Sequence, residues 1–421
     1  MRLAFTPRNL SRTSGAFVGL SGVIRVRGIT QFRFQWRKYS TKEPPSPPTI
    51  QLEGRHYLID EWTNLSSHIS SALPRKLHLQ PSHPLSITRR LIESRFPGPT
   101  YQYHNDLSPI VSVHQNFDSL GFPINHPGRS RTDTYYINKD TVLRTHTSAH
   151  QADTFRSGTS DGFLISADVY RRDAIDRSHY PIFHQMEGAR MWSRDACKAR
   201  GGVPAVIREE IESMPKHGIN GASEEPLRVR WVEAYFPFTS PSWELEVYWQ
   251  GNWLELLGCG VVQQSLPKNA DIPDKIGWAF GVGLERIAML LFGIPDIRLF
   301  WSLDKRFLEQ FKEGEISRFV PFSKFPSCYK DVAFWLPSSS SAAGGQVSFH
   351  ENDMMEIVRN VAGDLAEDVD EFTHPNTGRK SLCFRINYRS LERTLKNDEA
   401  NSLQKAVKRV LVEEFGVEVR G

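Results

Sequence analysis

A chain of 421 residues, with 52 Lys and Arg against 48 Asp and Glu and a net charge of +4, is long enough for two or three domains with their own cores. Its 39% hydrophobic and 24% charged residues are those of a globular protein, and no apolar run approaches the roughly 20 residues that cross a bilayer. Cys197, Cys259, Cys328 and Cys383 lie far apart with no C-x-x-C pair, which argues against a disulfide scaffold and against a structural zinc site.

The first 42 residues hold seven Arg and two Lys, several Ser and Thr, and no acid before Glu43. That composition predicts a mitochondrial transit peptide rather than a secretory signal, which needs an apolar core segment. A basic tail that binds nucleic acid is the alternative. The run Arg37-Lys38-Tyr39-Ser40 resembles a matrix-peptidase cleavage site. Removing the 42 residues takes nine positive charges from a net of +4 and leaves −5, so any nucleic-acid contact of the body must use a local patch. Pro44, Pro45, Pro47 and Pro48 then predict a stiff linker.

Ser82-His83-Pro84 predicts a helix start with Ser82 as cap, running through Arg95 with Leu85, Leu91 and Ile92 on its apolar side. Next comes an arginine-bearing stretch, Tyr170 to Gly188. It carries Arg171 and Asp173 as R-x-D, His179 and Phe183 as H-x-x-x-F, and Glu187 four residues on. Leu245, Val247 and Trp249 alternate with Glu244, Glu246 and Tyr248, and Gly251-Asn252 turns the chain back through Trp253 to Cys259. This predicts a hairpin of an antiparallel sheet with one face on a core. A second arginine station follows from Gly277 to Leu290, where glycines lead into a helix bearing Arg286. An arginine near each end of a cleft, with an aromatic face between, suits a bound nucleoside triphosphate, because guanidinium forks grip phosphates and stack on bases.

The last hundred residues predict a separate α+β unit: a strand from Phe325 to Leu336, a loop from Pro337 to Gly345, and a helix from Glu351 with Met354, Met355, Ile357, Val358 and Val361 inward. A strand from Lys380 to Tyr388, a helix from Glu399 to Phe415 and a strand from Val417 to Val419 complete a split βαβ order. From Arg379 to Arg409 there are nine Lys and Arg against three acids, with Phe384 and Tyr388 interspersed. Such a face suits phosphates and stacked unpaired bases, a solvated helix surface being the plainer alternative.

Each arginine station alone is weak evidence. In this order they resemble motifs 2 and 3 of the class II aminoacyl-tRNA synthetases. The strings NFDSLGFPINHPGRSRTDTYY, LRTHTSAHQ, RRDAIDRSHYPIFHQMEG, YFPFTSPSWE, WLELLGCGV and GWAFGVGLERIAMLLFGIPDIRLFW resemble phenylalanyl-tRNA synthetases one after another. The terminal unit, with CYKDVAFWLP, is similar to that family's ferredoxin-like anticodon-binding domain, fused here as in single-chain mitochondrial members.

The resemblance implies an α+β fold: an antiparallel sheet flanked by helices, then the ferredoxin-like unit. It divides the chain into a transit peptide and linker start (1–42), an N-terminal extension (43–76), a catalytic domain (77–312), a linker (313–324) and the anticodon-binding domain (325–421). It also implies a monomer of the mitochondrial matrix that joins phenylalanine to tRNA(Phe) with ATP and Mg²⁺, without a membrane partner. A synthetase for another amino acid and a synthetase-like binding protein without catalysis are the rivals.

Residue by residue, the resemblance places Arg171 on the α-phosphate and Phe183 under adenine. Arg286 lies on the other face of the base or at the γ-phosphate. Asp173, His179 and Tyr180 lie by the nucleotide, and Glu255 binds ATP or its magnesium, with Glu244 and Glu246 ranked below it. His146, Ser148, Ala149, His150, Gln151, Gln185, Met186 and Glu187 surround the amino acid's ammonium and carboxylate. Gln185 and Glu187 share a strand face. Phe236 and Phe238, also read as sharing one, pack edge-on against the substrate ring. Ala279 floors a pocket sized for phenyl with Phe280 beside it, and Arg379, Lys380, Arg385 and Arg389 face tRNA.

Overall fold

The computed structural model describes residues 48–158, 160–173, 177–199, 228–249, 251–321, 328–336, 349–363, 366–373, 381–390 and 393–420. The predicted transit segment, the 337–345 loop, Arg379 and Lys380 lie outside the described residues.

A seven-stranded sheet organises the chain. Its strands are β1 (Tyr101–His104), β2 (Gly162–Tyr170), β3 (Ile182–Ser193), β4 (Val229–Phe236), β5 (Thr239–Trp249), β6 (Asn252–Val262) and β7 (Lys275–Gly283), in the spatial order β1-β2-β3-β7-β6-β5-β4. All neighbours are antiparallel except the parallel β1–β2 pair. Every residue of β2 is buried, as expected of a strand covered on both faces. The β5–β6 hairpin forms as the alternation predicts, with Tyr248 opposite Trp253 and Trp249 opposite Asn252, and an irregularity between Leu245 and Glu246.

Helix α1 (Pro84–Glu93) and helix α2 (Leu284–Phe292) pack together on one face of the sheet. The cap of α1 is His83, not the predicted Ser82: the His83 ring accepts the Leu85 N–H at 3.3 Å. Pro84 takes the first helical position, where its missing N–H has no partner to lose, so the cap must be the residue before it. Helix α2 ends at Gly293, whose φ of +68° is a left-handed conformation that glycine adopts without Cβ strain. Leu52, Ile69 and Leu73 join the same core as α1 and α2, so the segment before residue 77 packs on the sheet domain.

The terminal unit runs β8 (Cys328–Trp335), α3 (Glu351–Ala362), β9 (Ala366–Thr373), β10 (Ser381–Tyr388), α4 (Asn397–Phe415) and β11 (Glu418–Arg420), with sheet order β9-β10-β8-β11. The acid-rich β9, AEDVDEFT, was not predicted. Val332, Phe334, Leu382, Phe384, Ile386 and Tyr388 pack under the two helices. This corrects one expectation. Phe384 and Tyr388 are fully buried and cannot stack on bases, because the strand's even positions all face the helices. The exposed aromatic on the strand side is Tyr329, and Trp335 lies under Arg420 at 5.0 Å. Among the described residues, no helix is long and apolar enough to cross a membrane.

Candidate active site

The face of the main sheet away from α1 and α2 opens into a cavity of about 640 Å³. Strand alternation decides what reaches it. On β3, Phe183, Gln185 and Glu187 point into the cavity, while His184 and Met186 between them are buried toward the helices.

At one end lie Arg171, Asp173, His179, Tyr180, Phe183, Glu255 and Arg286. Arg171 Nε donates to the Thr145 carbonyl at 2.8 Å, and its guanidinium carbon sits 5.2 Å from the centre of the Phe183 ring. Burial draws the Arg171 pKa below the usual arginine value. Arg286 acts in the same sense, and Asp173 and Glu255 oppose it. Arg286 donates to the Glu255 carbonyl at 2.8 Å and lies 3.4 Å from its carboxylate. Glu285 turns instead to His184. Tyr180 stacks on Trp301 with ring centres 5.9 Å apart.

Glu244 and Glu255 border the same end. Partial burial raises the Glu244 pKa, with the charges of Glu255 and Glu246 adding to the shift. That excess of negative charge is a donor set a hard divalent cation would relieve. Among the described residues no group of three or more His, Cys, Asp or Glu could hold a metal ion.

The other end is built around Glu187. Its carboxylate accepts from the Ser148 hydroxyl, from Gln151 Nε2 at 2.8 Å and from Thr147 Oγ1 at 3.4 Å. Burial pushes its pKa up to about 7, against those three bonds. His146 stacks on Phe122 with ring centres 5.5 Å apart and 4° between planes. Burial lowers the His146 pKa to about 3, with the charge of Arg171 acting in the same sense and the Asn116 backbone opposing it.

Phe236 and Phe238 line the cavity stacked on each other, ring centres 5.8 Å apart. They do not share a strand face as predicted: Phe236 ends β4 and Phe238 lies in the turn to β5. Gly258 makes room for Phe236, since a Cβ there would come within 2.7 Å of its ring. Ala279 completes this wall, whereas Phe280, expected beside it, borders the cavity but turns its ring into the main core, stacked on Phe96 and Trp278 with ring centres 5.3 and 5.4 Å apart, because neighbouring strand residues face opposite ways.

Three expected residues do not line the cavity. Met186 is in the main core, Ala149 packs with Val111, Tyr136 and Val142, and the His150 ring lies 3.0 Å from Arg144 Nη1. Phe122, Thr145 and Asn352 were missed. Asn352 comes from α3 of the terminal unit yet borders the cavity, and its Nδ2 donates to the carbonyls of Thr132 and Arg172 at 2.9 and 2.7 Å. Nearby, Arg172 pairs with Asp353 at 3.0 Å, and Tyr135, Glu356 and Arg359 form a buried cluster. On the outer sheet, Arg385 is paired with Asp331 at 2.8 Å in an exposed bridge of the kind a phosphate can displace.

A family profile described as "tRNA synthetases class II core domain (F)" matches residues 69–311, and one described as "Ferredoxin-fold anticodon binding domain" matches 323–420. The mitochondrial phenylalanine–tRNA ligase of Saccharomyces cerevisiae is 44% identical over 91% of this chain and 97% of its own. The mitochondrial phenylalanine–tRNA ligase of Mus musculus is 41% identical over 92% and 94%. The phenylalanine–tRNA ligase alpha subunit of Prochlorococcus marinus is 38% identical but covers only 54% of this chain. The chain belongs to the class II tRNA synthetases and, within them, to the phenylalanine–tRNA ligase family.

Proposed function

We propose that this chain activates phenylalanine with ATP and transfers it to tRNA(Phe) in the mitochondrial matrix, acting as a monomer. The observation that supports this most is a single cavity with a guanidinium–aromatic end and a carboxylate–aromatic end, one suited to a nucleotide and the other to an aromatic amino acid.

In this reading adenine lies on Phe183, with Arg286 beyond it and Asp173, His179 and Tyr180 along the nucleotide. The substrate ammonium meets Glu187 and Gln185, assisted by Ser148, Gln151 and His146, and the ring enters between Phe236, Phe238 and Ala279, with Phe280 behind that wall. The substrate carboxylate oxygen attacks the α-phosphorus, an O–P bond forms, and the bond to pyrophosphate breaks. Charge grows on the α-phosphate oxygens as this happens, so a guanidinium fixed by the Thr145 carbonyl stabilises the transition state more than the ground state. Mg²⁺, when bound, neutralises phosphate charge, and Glu255 and Glu244 are the residues that would hold it. No side chain need act as nucleophile, because alignment supplies much of the rate.

In the second step the 2′-hydroxyl of the terminal adenosine attacks the acyl carbon and AMP leaves. Arg385 and Arg389 of the terminal unit, with Arg379 and Lys380, contact tRNA. The domain boundaries at 42, 76, 312 and 324 belong to this proposal. ATP–pyrophosphate exchange by the purified chain tests it: phenylalanine should support exchange and tyrosine should not. Exchange supported better by another amino acid would overturn the substrate, and no exchange at all would overturn the activity.

A further inference from the structure

Glu285 is 1% exposed, stands one residue before Arg286, and has no task in the reaction as read so far. Both of its oxygens accept the backbone N–H of His184, at 3.0 and 2.8 Å, and Oε1 lies 2.7 Å from His184 Nδ1. His184 is itself sealed from solvent, its ring 5.7 Å from Trp301 and 5.1 Å from His78.

The position of this contact in the sheet carries the inference. The β3–β7 ladder ends at the pair Gly283 and Gln185, where β7 gives way to α2. His184 is the next residue of β3 beyond that pair, and the β7 side offers it no further strand backbone. The Glu285 carboxylate takes over as acceptor there. One end of this link is covalently next to Phe183, the other covalently next to Arg286. Sealing a carboxylate from water is costly unless its bonds are well made, and three donor contacts to one residue are more than a helix needs for its first turn.

We propose that Glu285 is a positioning residue of the adenylation step: its carboxylate extends the β3–β7 ladder by one residue and so fixes the span between Phe183 and Arg286. This rests on the reading of those two residues as the two sides of the nucleotide site. Without the link, α2 and the end of β3 move independently, and ATP binds weakly while the Glu187 end is untouched.

The test uses the full chain, pyrophosphate exchange, and active-site titration so that rates are per competent site. Glu285→Ala should raise KM for ATP about tenfold or more and leave KM for phenylalanine within about twofold. Glu285→Gln should restore most of the ATP affinity, since its amide oxygen can accept the His184 N–H while its amide nitrogen donates to Nδ1 of the other imidazole tautomer. A residue with only a fold-holding role would lower the melting temperature or the titratable fraction and leave both KM values per site unchanged. That result, or equal rises in both KM values, overturns the proposal. If Glu285→Ala does not fold, Glu285→Asp replaces it: the carboxylate is then one methylene short, and an unchanged KM for ATP overturns the proposal equally. Phe183→Ala and Arg286→Ala run in parallel. If neither moves KM for ATP, the nucleotide reading fails, whatever Glu285 does.

Discussion

The Arg171 guanidinium rests on the face of Phe183, 5.2 Å from the ring centre, tethered by the Thr145 carbonyl. The same ring is the surface on which adenine is read to stack, so the tethered guanidinium stands beside the base, where the α-phosphate is read to lie. Arg171→Ala should therefore lower kcat for pyrophosphate exchange by about 10²–10³-fold, the usual cost of one aligned electrostatic partner. Its melting temperature should shift little, because the side chain keeps some solvent exposure and its guanidinium is tied to a loop carbonyl, that of Thr145. Exchange kinetics beside calorimetry separate the two effects, and wild-type rates in the variant would remove Arg171 from the chemistry.

Glu187 sets a pH dependence. Its pKa rises from 4.5 to about 7 on burial, so the folded state holds a proton that the unfolded chain releases earlier. Stability of the free protein should thus fall as pH rises from about 4.5 through 7, by about 3 kcal/mol at most. Glu187→Gln should remove that slope in melting curves. Phenylalanine binding should run the other way. With the ionised carboxylate read as the partner of the substrate ammonium, KM for phenylalanine should fall about tenfold between pH 6 and 8 in the native chain. The Gln variant should show a higher and flat KM, and a parallel pH profile in both proteins would exclude Glu187 as the titrating group.

Ala279 floors the amino-acid end of the cavity and is nearly sealed. In the proposed reading a methyl there leaves the tyrosine hydroxyl without space or partner. Ala279→Gly should raise kcat/KM for tyrosine relative to phenylalanine by roughly 10–100-fold, since a hydrophobic pocket discriminates weakly once the steric contact is gone. Adenylate formation with each amino acid checks this, and an unchanged ratio would place the discrimination elsewhere, with Phe236 and Phe238 the next candidates.

Short-range pattern carried much of the site. Residues two apart on one strand share a face whatever the fold, so Gln185 and Glu187 could be placed together from the sequence, and Phe183, two residues earlier, joins them on that face. The same rule cannot say which face is covered by helices. Phe384 and Tyr388 were set outward beside Arg385, and they face inward because α3 and α4 cover the even positions of β10. Phe236 and Phe238 converge through a turn, not through alternation. Strand β9 was invisible because its alternation is written in acids. Asn352 had no local signal at all: its carbonyl partner on Arg172 lies 180 residues away in the chain.

That last contact leads to a prediction about the two units. Arg359, fully buried, donates to the Tyr135 hydroxyl at 2.6 Å and to Glu356 at 2.7 Å, and Tyr135 donates to Glu356 at 2.9 Å. Arg359 also reaches the Asp173 carbonyl at 3.4 Å, and Asp353 holds Arg172, so α3 is docked on the two residues that follow Arg171. Removing one member of a buried charged cluster leaves the others desolvated and unpaired, at about 3–5 kcal/mol. Arg359→Ala should accordingly loosen the docking of the terminal unit. Small-angle scattering should show a larger radius of gyration, and KM for ATP should rise because Arg172 and Asp173 lose their clasp. Tyr135→Phe, on the other side of the interface, should give a smaller change in the same direction without touching the helix. A scattering profile identical to the native protein's in both variants would mean that the buried cluster is dispensable and that the other contacts, Asn352 with the Thr132 and Arg172 carbonyls and Asp353 with Arg172 among them, hold the units together.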